Sequence, residues 1–454
     1  MTARVRDFNE FLRDHVNLNQ SRVESLQKRV SSLDDFISER SSLTDMVNGD
    51  IIPQGSFAHR TIIKPYSGND FDADVLLPLE EQPDWTPKKY ILELNRALGA
   101  SSNYAGKTVL GKRCVTIDYA NDFHIDVVPF VTRSDGLTYI THRIDNEFVR
   151  QDPVAFTDWI RESARTTNGH LIRVVRLVKY LRDRSSIEVP SVVIAALLTE
   201  RVRIFSVHGE YSNVASTLTA LLEDLNDYIG PLQSPPFIND RIGGNIADRV
   251  TQTGFKNLQS QVSTWARKAR QALDAKSEES VEEWQKLFGT AFGNARVSNA
   301  IDESVVAAAN TPHIETYEYT MAPGEQTLEG SHGIETRIDP NYHMRLVGRF
   351  SPRSTPKGRP RPMDSNGGFV PIGRELVFTV EECNVPGDYD IYWKVRNAGP
   401  EAARLQNFRG EIRKAGATIT ENSMFYGPHW VEAWAVKRGV AVATARQDVT
   451  IMQN

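Results

Sequence analysis

The sequence predicts an α+β protein of several domains that ends in an all-β, sandwich-like domain. Three observations carry this expectation. Apolar residues recur at helical spacing over the first 40 residues and again between about 153 and 300. Short strand-like runs fill residues 51–130. From about Arg337 onward, short β-prone runs alternate with turns rich in Gly, Pro and Asn. At 454 residues the chain is too long for one ordinary domain, and 40% hydrophobic with 24% charged residues suffices for real cores. Lys plus Arg (53) against Asp plus Glu (58) gives a net charge of −5, which argues against a polycation that coats nucleic acid but leaves a local basic groove open. The two cysteines, Cys114 and Cys383, are too few and too far apart for a disulfide scaffold or a Cys-rich zinc module. No apolar run approaches the roughly 20 residues of a membrane span, the best being Val192 to Leu198. The opening MTARVRDFNEF lacks the apolar core of a signal peptide, so the expectation is a cytoplasmic protein with no membrane partner.

In chain order, Phe8, Phe11, Leu12, Val23, Leu26, Val30, Leu33, Phe36 and Ile37 mark one amphipathic helix, broken once near Asn17-Leu18-Asn19, that packs against a later domain. Asp74 to Leu79, Arg113 to Asp118 and Phe123 to Val128 read as strands, with a helix from Lys88 to Leu98 after the first. Tyr119-Ala120-Asn121-Asp122 supplies the hairpin turn between the other two. Leu171 to Leu181 is strongly amphipathic, a further helix opens at Pro190-Ser191, and helices continue over Ser216 to Tyr228 and Gln252 to Phe292. Glu375 to Val380, Tyr389 to Val395 and Val431 to Val436 are strands of the last domain. The expected division is 1–160 as a mixed core with its N-terminal helix, 161–300 as a helical lobe, 301–336 as linker and 337–454 as the β-domain.

The residues richest in chemistry are Gln54-Gly55-Ser56, then Asp72-Ala73-Asp74, then Asp126 on a separate strand. A Gly-Ser step presents a backbone N–H and a hydroxyl at close range, which suits a phosphate oxygen. Two aspartates at i and i+2 of a strand share one face, and a third from a neighbouring strand completes a cluster of hard oxygen ligands. Idle carboxylates beside Phe71, Val75, Leu76 and Leu77 would be costly. Packed carboxylates repel unless cations intervene, and the natural guest is Mg²⁺, with Mn²⁺ as the alternative, singly or as a pair about 3.5–4 Å apart. His59, Arg60 and Lys64 border this site in sequence, as phosphate or base contacts or as plain solvated residues. His124, two before Asp126, is placed to orient that carboxylate.

The order Gln-Gly-Ser, Asp-x-Asp and His-Ile-Asp-Val-Val-Pro resembles the polymerase-β-type nucleotidyltransferases. Within them it most resembles the cyclic-oligonucleotide synthases related to cGAS, DncV and oligoadenylate synthetase, the CD-NTases of bacterial antiphage systems. The resemblance implies a polymerase-β-type core with a helical second lobe. It also implies catalytic and metal-binding roles for Asp72, Asp74 and Asp126, and phosphate binding at Ser56 with Gln54 and Gly55 beside it. Lys179, in the helix Leu171 to Asp183, and Ser191 match the lysine and serine that grip the triphosphate from the second lobe. Substrates would be nucleoside triphosphates, ATP and as a second candidate GTP, and the product a cyclic di- or trinucleotide that signals to a downstream effector. Trp393 to Ala402, Leu405 to Gly410 and Tyr426 to Glu432 resemble the adenylyl/guanylyl cyclase and SMODS C-terminal sensor domain, which implies a sensed cue.

Other readings remain. The same carboxylates serve a transferase that makes linear oligoadenylates or adds nucleotides to RNA or protein, and a binding module with a vestigial site is a second rival. The stretch Arg349 to Arg361 is either a solvated loop or a polyanion patch, with Phe350 as its one aromatic for stacking. His429 is either a ligand contact or a packed strand residue.

Overall fold

The computed structural model describes residues 4–66, 71–119, 123–203, 209–294, 322, 324–339, 341–351, 360–363 and 368–452. The chain forms two compact units. One gathers Met1–Val23, Pro53–Leu76 and Asp84–Ile301; the other gathers Glu24–Ile52, Leu77–Pro83 and Asp302–Asn454.

The N-terminal helix breaks where the sequence breaks it. Helix α1 (Val5–Phe11) runs into a π-helical turn, Leu12–Val16, and α2 (Gln20–Arg40) follows after Asn17 to Asn19. In the first unit, Phe8 and Phe11 are buried in an aromatic cluster with Trp284, Phe288 and Phe292, with Phe8 edge-on to Trp284 at 4.9 Å between centroids. Strand β1 (Ile52–Gln54) leads straight into a one-turn helix, α3 (Gly55–Ala58). The sheet runs β1, β2 (Phe71–Glu80), β5 (Phe123–Thr132), β4 (Val115–Tyr119), β3 (Thr108–Leu110); β6 (Thr138–His142) pairs with β5, and β7 (Glu147–Arg150) with β6. Helix α4 (Pro87–Gly99) starts with proline in its first turn and buries Tyr90, Ile91, Leu94, Ala97 and Leu98, spaced for one face, against these strands.

The helical part comprises α5 (Pro153–Thr166), α6 (His170–Arg184), α7 (Ser191–Glu200), α8 (Val214–Ile229), α9 (Gln252–Asp274) and α10 (Ser277–Phe288). Asp152, Asn213 and Thr251 cap α5, α8 and α9 by accepting from the N–H three residues on. Helix α6 is buried almost all round, and it takes Arg173, Arg176 and Lys179 inside with its leucines and valines. A helix that carries three cations into a core needs specific partners for each of them.

The second unit holds the β-domain. A four-stranded sheet, β10 (Arg361–Pro362), β9 (Met344–Phe350), β12 (Glu375–Cys383) and β15 (Thr418–Asn422), shares one core with a six-stranded sheet. The latter runs β11 (Phe369–Pro371), β17 (Val440–Met452), β16 (Gly427–Lys437), β13 (Asp390–Asn397), β14 (Arg409–Ala415), with β8 (Glu335–Thr336) on β17. Trp393, Phe350, Phe378, Ala433 and Ala443 are fully buried between them. The β16–β17 hairpin turns on Arg438 and Gly439, both at positive φ, the signature of the tight turn whose twist matches its strands. Glu325, wholly buried, pairs with Lys394 at 2.5 Å and Arg396 at 3.1 Å and accepts from the Ala322 N–H at 2.9 Å.

The same unit includes the segment before β1. Asp50, 1% exposed, pairs with Arg374 at 2.8 Å; Arg361 donates to the carbonyls of Asp50 (3.0 Å) and Asn48 (3.1 Å). Between them Gly49 sits at φ +102°, where a Cβ would overlap the Arg361 guanidinium. Asp34 of α2 accepts from Ile51 N–H at 2.9 Å, and Asn48 N–H donates to Pro78 O at 2.9 Å.

The basic stretch resolves differently from its two sequence readings at the ends that are described; residues 352–359 lie outside the described residues. Arg349 pairs with Glu381 across strands, Arg361 is spent on Asn48 and Asp50, and Phe350 is 0% exposed in the core, so it offers no stacking face. Of the expected linker, 301–336, residues 301–321 and 323 lie outside the described residues, as do residues 120–122 of the expected hairpin turn. No helix of the described residues is long and apolar enough to cross a membrane, and both cysteines are free.

Candidate active site

The first unit brings the sequence-flagged residues together from three directions. Strand β2 alternates: Phe71, Ala73 and Val75 are buried, Asp72 is exposed and Asp74 half-buried, so both carboxylates lie on one face, as a two-residue period requires. Asp126, half-buried, lies on the adjacent strand β5. Burial first, then the charges of Asp126 and Asp72, push the Asp74 carboxyl up to about 6 from the usual 3.8.

Gln54 is extended and precedes α3, in which Gly55 sits at φ +57°. A Cβ at Gly55 would stand 2.7 Å from Asp74 Oδ2, so glycine alone lets the chain pass this close to the carboxylate. Ser56 opens the turn beside it. From α6, Lys179 donates to Ser56 Oγ at 3.1 Å and to Thr61 O at 2.6 Å. Lys179 is buried; burial, and then the charges of Arg182 and Arg176, opposed by that of Asp183, lower its ammonium to about 7 from 10.5.

Ser191 is the first residue of α7, whose N-cap position is Pro190, so its hydroxyl is free of capping duty. It accepts from Arg182 Nη1 at 2.8 Å, and that same nitrogen donates to Val189 O at 3.1 Å. Ser191 is thereby tied to the Lys179 side of α6 through Arg182.

Three neighbours differ from their sequence readings. His59 is 4% exposed, bonded to Thr157 Oγ1 at 3.2 Å, and held neutral with its pKa lowered to about 3 by burial, Lys179 and Arg161. Arg60 is 9% exposed at φ +57°, and its carbonyl accepts from Arg176 Nε at 2.8 Å; only Lys64 is exposed. His124 lies 3.5 Å from Asp118, its partner across the β4–β5 ladder.

The residue that does hold Asp126 is Thr116, directly opposite it in the antiparallel register, whose hydroxyl donates to Oδ1. Cys114 stands 3.8 Å from Thr116 Oγ1, and burial followed by Asp126 raises its thiol to about 11. Sequence reasoning missed both. The signal was there for Thr116: in a hairpin turning at 120–122, the residue opposite Asp126 is the one at 116.

The donor set is hard oxygen throughout, and Asp74 feels both neighbouring charges, so a divalent cation fits the chemistry of the place. Among the described residues no three or more His, Cys, Asp or Glu side chains converge in a metal-ready set, so the carboxylates stand adjacent rather than closed on one point.

Comparison with known proteins gives matches in two stretches of the chain. Residues 1–164 match the family model of the Second Messenger Oligonucleotide or Dinucleotide Synthetase domain, and residues 325–452 that of the Adenylyl/Guanylyl and SMODS C-terminal sensor domain. A c-di-GMP synthase of Roseivirga ehrenbergii is 24% identical over 244 residues, which is 47% of this chain and 64% of that protein. A cyclic AMP-AMP-GMP synthase of Enterobacter hormaechei is 24% identical over 220 residues, 47% of this chain and 52% of that one. The chain thus spans between about half and two thirds of these curated relatives. The solved structure of CdnC from E. coli MS115-1 with ATP superposes with a TM-score of 0.50 at 19% identity, covering 64% of this chain and 99% of that one, a likeness of fold.

Proposed function

The chain belongs to the CD-NTases, polymerase-β-type nucleotidyltransferases, and carries a C-terminal sensor domain; from this premise we propose that it is a Mg²⁺-dependent synthase of a cyclic di- or trinucleotide from ATP, with GTP as the second candidate substrate. The product would serve as a signal to a downstream effector in antiphage defence, and the C-terminal domain would govern its synthesis in response to a cue. The observation that carries the reading is the meeting of Asp74, electrostatically coupled to Asp126 and Asp72, with the Gly55-Ser56 turn into which Lys179 reaches.

Asp72, Asp74 and Asp126 would hold the cation, which when bound offsets the charge that develops as the α-phosphorus changes partners. The remaining work belongs to the side chains. Ser56 and the backbone of its turn bind the triphosphate, and Lys179, freed from Thr61, adds a full charge to it. Arg182 fixes Ser191 as a further donor to the same phosphates. Asp126, held in one rotamer by Thr116, orients the attacking ribose hydroxyl and takes its proton. A ribose oxygen bonds to the α-phosphorus, the α–β bridging bond breaks, and pyrophosphate leaves; the step recurs once for each further nucleotide, and a last round within the linear intermediate closes the ring with loss of its own pyrophosphate.

The test is incubation of the full chain with labelled ATP, GTP, CTP and UTP and Mg²⁺ or Mn²⁺, followed by phosphatase and mass spectrometry. A phosphatase-resistant product with closed-ring mass is expected, and Asp74→Asn should reduce it by at least about 10³-fold with its folding intact. Linear, phosphatase-sensitive chains would replace this reading with the oligoadenylate or nucleotide-addition alternative. Full activity in Asp74→Asn would remove the carboxylate site from the mechanism.

A further inference from the structure

At one end of the β-domain the two sheets part around a cavity of about 210 Å³. Its inner wall is the core itself: Phe378 and Leu376 from the four-stranded sheet, Val395, Val431 and Ile451 from the six-stranded one. Its outer wall is polar, with Asn397, Asn407, Asn422 and His429 beside the pair Arg409 and Glu421. Met424, 67% exposed, stands at the rim. Cavities of ~150 Å³ take up benzene, and drug-sized ligands need about 300 Å³ or more, so this space suits one or two fused rings.

Charge and hydrogen bonding narrow the guest further. Arg409 and Glu421 are the charged lining residues, and both are paired: Arg409 grips both oxygens of Glu421, at 2.6 and 3.3 Å, and Arg413, outside the lining, holds the same carboxylate at 2.8 Å. Nothing unpaired is left in the lining to attract a phosphate or carboxylate. The polar wall is instead short of one proton. His429 faces two oxygens, Phe425 O at 2.9 Å and Asn397 Oδ1 at 3.0 Å, while Asn397 Nδ2 donates to Asn407 O at 3.0 Å. Burial holds the ring neutral, with its pKa lowered to about 4, so it carries one N–H for two acceptors. Turning the Asn397 amide over moves the deficit to Asn407 O without removing it. A buried acceptor without a donor costs about 1–3 kcal/mol, which a ligand N–H would recover.

We propose that this cavity is a binding site for an uncharged planar heterocycle or aromatic amide of one or two rings, which buries its ring against Phe378 and Val431 and donates an N–H at Asn397 and His429. The site lies in the β-domain and stands whether or not the carboxylate site makes a cyclic product.

The test is direct binding to the full chain of three uncharged probes, benzamide, nicotinamide and adenine, and of two matched acids, benzoate and nicotinate. Protein carrying ¹³C-methyl methionine, with the Met424 signal assigned by Met424→Leu, reports on this cavity alone. At least one uncharged probe is expected to shift the Met424 resonance saturably, with its matched acid about tenfold weaker or worse. Val431→Phe, which fills the cavity, and Asn397→Leu, which removes the acceptor, should each weaken binding by about tenfold or more. The proposal falls if no uncharged probe moves Met424, if the acids bind as well as the amides, or if a folded Val431→Phe protein binds undiminished. Where Val431→Phe does not fold, Asn397→Leu and the acid–amide pairs decide it.

Discussion

Two lysines are buried to nearly the same degree and satisfied in opposite ways. Lys394 of the second unit, 3% exposed, meets the carboxylate of Glu325 at 2.5 Å and the carbonyl of Gln326 at 3.0 Å. Lys179 of the first unit, 4% exposed, meets a hydroxyl and a carbonyl, with Arg176 and Arg182 close enough to depress it further. The first is a closed account: charge, counter-charge and hydrogen bonds are all inside the fold. The second is a cation kept short of an anion, at the turn where Ser56 would receive a triphosphate. A buried charge with its own carboxylate belongs to the architecture; one that faces neutral oxygens, with Asp183 as its counter-charge at longer range, is the one on which the proposed phosphate contact rests.

The sharpest way to break this contrast is to remove each ammonium while keeping the stem. Lys394→Met takes one of its two cations from the buried Glu325, leaving Arg396 and the Ala322 N–H against it, and should cost about 3 kcal/mol in a urea unfolding curve of the β-domain. Lys179→Met should leave folding within about 1 kcal/mol or stabilise it, yet lower kcat/KM for nucleotide by about 10²-fold. Equal destabilisation by the two would erase the distinction.

A pH series sharpens it. With its pKa lowered to about 7, Lys179 is increasingly neutral above that pH in the free protein. A lysine depressed on folding lowers stability as pH falls from the unfolded 10.5 through 7, and it takes up a proton when phosphate arrives. Nucleotide affinity is therefore expected to fall by up to about tenfold per unit between pH 7 and 9, read by calorimetry in buffers of different ionisation heat. Lys179→Arg, which keeps its charge, should flatten that slope. The smallest expected effect is at Thr116: Thr116→Val frees Asp126 to rotate and should lower kcat by about tenfold or less, with KM unchanged.

What the sequence revealed and concealed follows a physical line. The Asp72–Asp74 pair and the helix break near Asn17 are local patterns, set by a period of two or of 3.6, and both are found where the spacing puts them. The Gly55-Ser56 turn was legible for the same reason, though the need for glycine came from Asp74, nineteen positions on, and shows itself in three dimensions alone. His59, Arg60 and Phe350 carry polar or loop-like surroundings in the sequence and are buried by tertiary packing that no window of residues contains. Thr116 needed strand register, a cross-chain quantity. The short strands β1, β3, β6 and β7 escaped because three to five residues hold too little alternation to read.

The grip of Arg361 and Arg374 on residues 48–50 bears on how this molecule can be taken apart. A family boundary drawn on the sequence would cut after residue 164 or before residue 325, and would treat the pieces as separable parts. Folding draws the line elsewhere: α2, the 41–52 segment and residues 77–83 are counted with the C-terminal body. Removing residues 302–454 would strip the Asp50 carboxylate of Arg374 and its carbonyl of Arg361, and would do so four residues ahead of Gln54. The stretches matched by the family models and the compact units of the fold have different boundaries, and a truncation that respects only the first is expected to lower stability, read as a reduced Tm, rather than leave the N-terminal part unperturbed.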